Sequence, residues 1–192
     1  MELNSGAPTS FSRNQEVFGE GEPAEYFYRL KSGCIRTYST FRDGRRQVAS
    51  FYLPDEYFGL EWEKIHFFTA ETVIPSLVYV IKRSALTKRA AAGNKITSRL
   101  LALTALELRR TQRHVQLLLK SAQERVGQFL LELAEREHTQ SEIQLPMTRQ
   151  DIADYLGLTI ETVSRVLMRL EKATAISLPS PRRVVLRDRS LF

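Results

Sequence analysis

Residues 147–172 constrain this chain more than any other stretch, because they can form little except two short helices joined by a tight turn. Thr148 followed by Asp151 is a capping-box pattern. The hydroxyl accepts from a free backbone N–H of the first turn, and the carboxylate reaches back to the cap. Ile152, Ala153 and Leu156 face inward, and the small Ala153 allows a second helix to approach closely. Gly157 suits a left-handed turn residue, and Leu158 plugs the corner. Thr159 starts the second helix, in which Val163, Val166, Leu167 and Leu170 recur at helical spacing. The polar face left over carries Glu161, Thr162, Ser164, Arg165 and Arg169. The pattern is a helix-turn-helix whose outward side chains suit base edges.

Residue types at that spacing carry specific chemistry. In the major groove guanine offers N7 and O6, which an arginine grips with two hydrogen bonds, and cytosine offers an N4 donor that a carboxylate accepts. Glu161 and Arg165 are four residues apart, so both project from one face with Ser164 beside them. An acid on a surface approaching phosphates is costly unless it reads a base. A Glu–Arg pair on a solvated helix is the plainer alternative, but it leaves the preceding helix and the glycine turn without a purpose.

The segment from Gln150 to Arg165 resembles the DNA-binding signature of the CRP/FNR superfamily, in its FNR and FixK branches. The likeness extends upstream through Asp43-Gly-Arg-Arg-Gln-Val and through Phe51-Tyr-Leu-Pro-Asp-Glu-Tyr-Phe-Gly-Leu-Glu61, so it covers most of the chain. It implies that Glu161, Ser164 and Arg165 form the base-reading trio. It also implies a two-fold symmetric site of the TTGAT-N4-ATCAA type and an RNA polymerase partner.

Length and charge agree with such a reading without requiring it. At 192 residues the chain can hold one large or two modest domains. Its hydrophobic content of 43%, charged content of 26%, net charge of +6 and pI near 9.6 permit a polyanionic partner. From residue 165 to the end there are seven basic side chains against two acidic ones, at the end that holds the reading helix. A single cysteine excludes an internal disulfide and fits a reducing cytoplasm. No apolar run approaches the length of about 18 residues that a membrane span needs. The amino terminus lacks a basic, then apolar, export signal, so a cytoplasmic location is expected.

In chain order, residues 1–15 are polar and rich in small side chains, and are expected to be poorly ordered. Short runs at 17–18, 26–30, 34–40, 47–53, 72–74 and 77–81 read as strands. They are broken by turn residues at Lys31-Ser-Gly33, Arg42-Asp-Gly44, Pro54-Asp and Pro75-Ser. Strands this closely spaced indicate a small antiparallel roll or barrel over residues 1–92. The resemblance names it as the double-stranded β-helix of cyclic-nucleotide-binding proteins. Residues 84–92 begin helical structure, and Gly93-Asn94 interrupts it.

A long helix then runs over residues 95–120, roughly 39 Å if continuous. Leu101, Thr104, Leu108, Thr111, Val115 and Leu118 recur at spacings of three and four, as in a coiled-coil seam. A second row of Ile96, Leu100, Leu103, His114 and Leu117 occupies an adjacent face. A helix with two such faces needs two partners, and the expectation is the roll for one face and a second copy of the chain for the other, in a parallel homodimer. The dimer helix is assigned to 93–120 and the DNA-binding domain to 121–192.

Ser121 followed by Glu124 is a further capping box, opening a helix that extends to about 137 with Val126, Phe129, Leu130 and Leu133 on its apolar face. Residues 143–145 form a short strand. Residues 176–186 read as a hairpin turning at 179–181, the wing of a winged helix, with Arg182 and Arg183 near its tip. The expected class is therefore α+β: an amino-terminal antiparallel β-roll, a long dimerisation helix and a carboxyl-terminal winged helix-turn-helix. Arg149, Thr159, Thr162, Arg169, Arg182 and Arg183 are the candidate contacts to the DNA backbone.

The resemblance raises a ligand question that the residues can address. A phosphate cradle would place small residues and an arginine after Phe58-Gly59, whereas the chain continues with Glu61 and Glu63, and the next arginine is Arg83. Cyclic-nucleotide binding is not expected. Cys34 is alone, so an iron–sulfur cluster is not expected either, and a packing role for it is preferred over a redox switch. His66, His114 and His138 are scattered without metal spacing. No nucleophile–base motif stands out, and an enzyme is not expected. The resemblance to the FixK type then implies an activator of microaerobic or nitrogen-fixation genes that acts without cofactor, metal or small effector. The alternatives are a regulator gated by redox, haem or an unknown ligand, and a module that uses its helix-turn-helix to bind protein.

Overall fold

In the computed structural model, which describes residues 7–61, 63–85, 94–139 and 141–188, the chain divides into two compact units, Met1–Gln112 and Arg113–Phe192. Two long strands organise the first. β3 (Tyr26–Thr40) and β6 (Thr69–Lys82) pair along most of their length, and β4 (Arg46–Tyr52) continues the sheet beyond β3. β1 (Thr9–Phe11) and β2 (Glu16–Phe18) pair with β6, and the short β5 (Tyr57–Phe58) pairs with β3. Every pairing is antiparallel, and the unit is the expected β-roll.

Pleating decides which side chains make the core. Along β3, Tyr28 and Leu30 join Phe18, Ile35, Tyr52, Phe58, Ala70 and Val78 in one buried cluster. Phe27, which precedes Tyr28, lies on the other face with Tyr57 and Ile81, where Leu60, Tyr79, Leu100 and Leu103 pack against it. Each fully buried side chain of this size contributes about 1.5–3 kcal/mol by leaving water.

Three expectations for this unit need correction. Lys31-Ser-Gly33 is not a turn: β3 runs straight through it as a bulged strand, with register shifts between Leu30 and Ile35. Gly33 has φ of +104°, and a Cβ there would fall 2.1 Å from Ser76 Oγ, so the residue serves a close strand approach. Pro75-Ser likewise stays inside β6. Pro75 is exposed where the register jumps from Ile74 to Leu77, so its missing N–H breaks no ladder bond. The start of the chain is also more ordered than expected. Residues 9–11 form β1, Phe11 packs on the core, and the Thr72 hydroxyl donates to Ser12 O at 2.5 Å. Residues 1–6 of that segment, residues 86–93 of the expected helical start and the Ile96 side chain lie outside the described residues.

α1 (Asn94–Leu118) is one continuous helix. In the first unit Leu100 and Leu103 face the Phe27 cluster, and Arg110 pairs with Glu56 and, at 3.0 Å, with Glu107. The other row faces outward: Leu101, Leu108 and Val115 are 70%, 58% and 56% exposed, Thr104 and Thr111 are exposed, and Leu118 is half-buried.

The second unit begins in the last turns of α1, where Leu117 is buried and His114 stacks against Tyr155 at 4.2 Å. α2 (Ala122–Arg136) carries the expected capping box at Ser121 and Glu124, and it buries Val126, Phe129, Leu130 and Leu133. β7 (Glu142–Gln144), β9 (Arg183–Leu186) and β8 (Ile176–Ser180) form a small antiparallel sheet in that spatial order. α3 (Arg149–Leu156) and α4 (Ile160–Lys172) complete the unit. The wing hairpin turns later than expected, at Pro181-Arg182 between the paired Ser180 and Arg183. Pro179 remains in β8, an edge strand that tolerates a residue without an N–H.

Candidate nucleic-acid interface

Local chemistry sets where both helices of the candidate interface begin. Thr148 Oγ1 accepts from the Asp151 N–H at 3.1 Å, while Asp151 Oδ2 accepts from the Thr148 N–H at 2.9 Å and from its hydroxyl at 2.7 Å. These contacts satisfy donors that a helix start leaves free. α3 then buries Ile152, Ala153, Tyr155 and Leu156. Gly157 ends it in the left-handed region (φ 62°, ψ 40°), and the Gly157 and Leu158 N–H groups both close on Ala153 O.

α4 begins at Thr159, whose hydroxyl accepts from the Thr162 N–H at 3.2 Å and lies 3.0 Å from the Thr162 hydroxyl. The Thr159 hydroxyl also donates to the Glu161 carboxylate, so the Thr162 hydroxyl is the donor in that contact. Val163, Val166, Leu167 and Leu170 form the buried face of α4. On its opposite side Glu161 and Arg165 are exposed and Ser164 is half-buried. The helix therefore brings the three sequence-predicted base readers to one surface.

Glu161 is poised as an acceptor. Its carboxylate is held below the usual glutamate range, first by its own backbone N–H, then by the Thr159 hydroxyl, with the charge of Arg165 a smaller cause. Among the described residues, no ion pair within 4.0 Å joins Glu161 to Arg165, so the plainer intrahelical-pair reading lacks its contact. Both side chains remain available to a partner.

The candidate backbone contacts differ among themselves. Arg169 is exposed in the last turn of α4, and Arg182 is exposed at the wing turn. Arg183 instead pairs with Glu142 across the β7–β9 ladder at 2.6 Å, which raises the basicity of the guanidinium and lowers that of the carboxylate. Arg149 is half-buried, with Nη1 shielded and unbonded, and burial weakens its hold on the proton. A phosphate at the amino end of α3 would supply the missing acceptor.

Two supporting side chains escaped sequence reasoning. Arg125 on α2 donates through Nη1 to Leu156 O at 2.9 Å and through Nε to Lys120 O at 2.8 Å. Glu171 on α4 accepts from the Leu178 N–H at 3.0 Å, tying α4 to β8. In both, one partner is backbone, which carries no residue-type signal.

In the roll, Glu61 faces the buried His66 at 3.2 Å and Arg83 at 3.4 Å, and Arg83 also donates to Gly59 O at 2.9 Å. An arginine therefore does stand beside the Phe58-Gly59 segment, delivered from the end of β6, but Glu61 and a carbonyl engage it. Cys34 is 0% exposed, and its thiol lies 3.8 Å from Ile35 O. Among the described residues no group of three metal-ligating side chains assembles, and no helix is long and apolar enough to cross a membrane.

Known proteins share this arrangement. A family model of the Crp-like helix-turn-helix domain matches residues 124–191, and one of the cyclic nucleotide-binding domain matches residues 8–92. The nitrogen fixation regulation protein FixK of Azorhizobium caulinodans is 49% identical over 191 residues, an overlap spanning 96% of this chain and 77% of that one. The protein of the same name from Rhizobium meliloti is 38% identical over 91% of this chain and 80% of its own. The solved structure of FixK2 from Bradyrhizobium japonicum superposes with a TM-score of 0.92 at 43% identity, covering 95% of this chain and 93% of that one.

Proposed function

The chain belongs to the CRP/FNR family of transcription regulators, in its FixK group, and from that premise we propose that it acts as a homodimer on a TTGAT-N4-ATCAA-type palindrome without a small effector. Glu161, Ser164 and Arg165 read bases in each half-site. Thr159, Thr162, Arg149, Arg169, Arg182 and Arg183 hold the backbone, with Arg183 the weakest of these because Glu142 competes for it. One observation carries the proposal: an ionised acid and an arginine stand exposed and unpaired with each other on the outward face of a helix capped at Thr159.

The two-fold assembly draws support from α1. Its outward leucines and valine continue at seam spacing over several turns, and a second copy of the same helix is their natural cover. The names of the relatives favour control of nitrogen-fixation genes. The role is that of an activator working with RNA polymerase. In the roll, Arg83 is held by Glu61, so an anionic nucleotide would first have to break that ion pair.

Selection of bound sequences from random duplex DNA tests the reading, followed by gel-shift titration of the chosen palindrome. The expected result is enrichment of one symmetric motif and tight binding by protein purified without ligand. Equal retention of all sequences would leave the protein-binding alternative standing. A palindrome bound only after adding a nucleotide, haem or an oxidant would replace the effector-free mode with a gated one.

A further inference from the structure

The face of α4 that carries Glu161 and Arg165 carries one exposed apolar side chain that neither the core nor the caps employ. Met168 is 52% exposed, while the four apolar residues of the helix that face the core are all buried. At 100° per residue, Met168 lies within about 20° of the direction of Glu161, one heptad and roughly 10 Å further along the axis. Glu161, Ser164, Arg165 and Met168 therefore occupy positions i, i+3, i+4 and i+7 of a single stripe. Homeodomain recognition helices place their base-contacting residues at this same spacing.

An uncharged thioether at the end of such a stripe has few things it can bind. Arg165, Arg169 and Lys172 surround it in sequence, and any of these types at position 168 would serve a phosphate better. Methionine offers no donor and only a weak acceptor, but it is apolar and adapts its shape readily. The major groove displays one apolar group, the C5-methyl of thymine. We infer that Met168 is a further specificity-determining residue, which packs against a thymine methyl within about three base steps of the pair read by Glu161. The inference rests on the base-reading role proposed for Glu161 and Arg165.

Replacing each thymine of the selected palindrome by deoxyuridine, symmetrically in the two half-sites, removes methyl groups and nothing else. Wild-type protein should lose roughly fourfold in affinity per half-site at one thymine position contacted by Met168. Met168→Ala should bind the unmodified site correspondingly more weakly and show no further loss at that position, while Met168→Leu restores the wild-type pattern. Alanine and leucine both favour helices and the position is exposed, so folding is preserved. Identical uracil profiles for wild type and Met168→Ala would overturn the inference, as would an equal loss on every sequence, which would place the side chain against sugar. If wild-type protein shows no preference for the palindrome at all, the base-reading proposal itself falls, an outcome distinct from both.

Discussion

Arg125 Nη1 donates to Leu156 O at 2.9 Å, a contact that fastens the end of the first helix of the helix-turn-helix to α2. Leu156 is the last residue of α3, where carbonyls run out of helical partners, so a guanidinium there replaces bonds the chain cannot make for itself. Arg125→Ala should destabilise the carboxyl-terminal unit by about 1.5–3 kcal/mol, the range for hydrogen bonds to a charged group. Urea denaturation measures this, and faster hydrogen exchange at Gly157 and Leu158 would locate it. An unchanged midpoint would mean that water replaces the guanidinium without cost.

Arg165→Ala should weaken binding to the selected palindrome by about 1–3 kcal/mol and leave most non-specific binding intact. The measurement is a competition titration against scrambled duplex. Uniform loss on both would make Arg165 a phosphate contact.

The two wing arginines should separate. Arg182 is exposed at the turn, whereas Arg183 is engaged by Glu142. Arg182→Ala should lower the slope of log affinity against log salt by about 1.8, roughly 0.9 for each of the two copies in the dimer, and weaken all sequences alike. Arg183→Ala should change the slope less. The ordering would reverse if DNA pulls Arg183 away from its carboxylate.

Leu108→Glu tests the seam on α1. Leu108 is exposed in the single chain, so the substitution should leave the fold intact while placing like charges opposite each other in a two-fold pair. Sedimentation should show the wild type as a dimer and the variant shifted towards monomer, with loss of palindrome binding. A variant that remains dimeric would move the interface elsewhere.

His114 predicts a pH dependence. Burial against Tyr155 holds its imidazole below the ordinary value of 6.5, so the folded chain favours the neutral ring. Between the folded and ordinary values the unfolded chain binds more protons, and stability must therefore rise with pH there. Full stability is expected above about pH 6.5, with progressive loss below it as the unfolded chain takes up the proton. Denaturation midpoints measured on either side of that value should flatten in His114→Gln. An equal slope in both proteins would assign the dependence to other groups.

The helix caps and the outward stripe of α4 were legible because each depends on residues three to seven apart. Thr148 meets Asp151 and Ser121 meets Glu124 within one turn, so residue type and spacing suffice. The strands of the roll were legible as apolar runs, but their joins were not. Residues 31–33 read as a turn because glycine signals left-handed backbone, and nothing nearby reveals that Ser76, more than forty residues on, will lie against that glycine. Arg83 shows the same limit: its distance along the chain hid its position beside Glu61.

By itself the sequence determined where helices begin and which of their faces stay wet, because hydrogen-bond closure within a turn and the 3.6-residue period are local. Tertiary structure alone decided that β3 and β6 run unbroken through their glycine and proline. It also decided that Arg125 closes the end of α3 and that Glu142 holds Arg183. Those outcomes depend on backbone groups and distant charges meeting in space, and chain folding, rather than residue spacing, sets their separation.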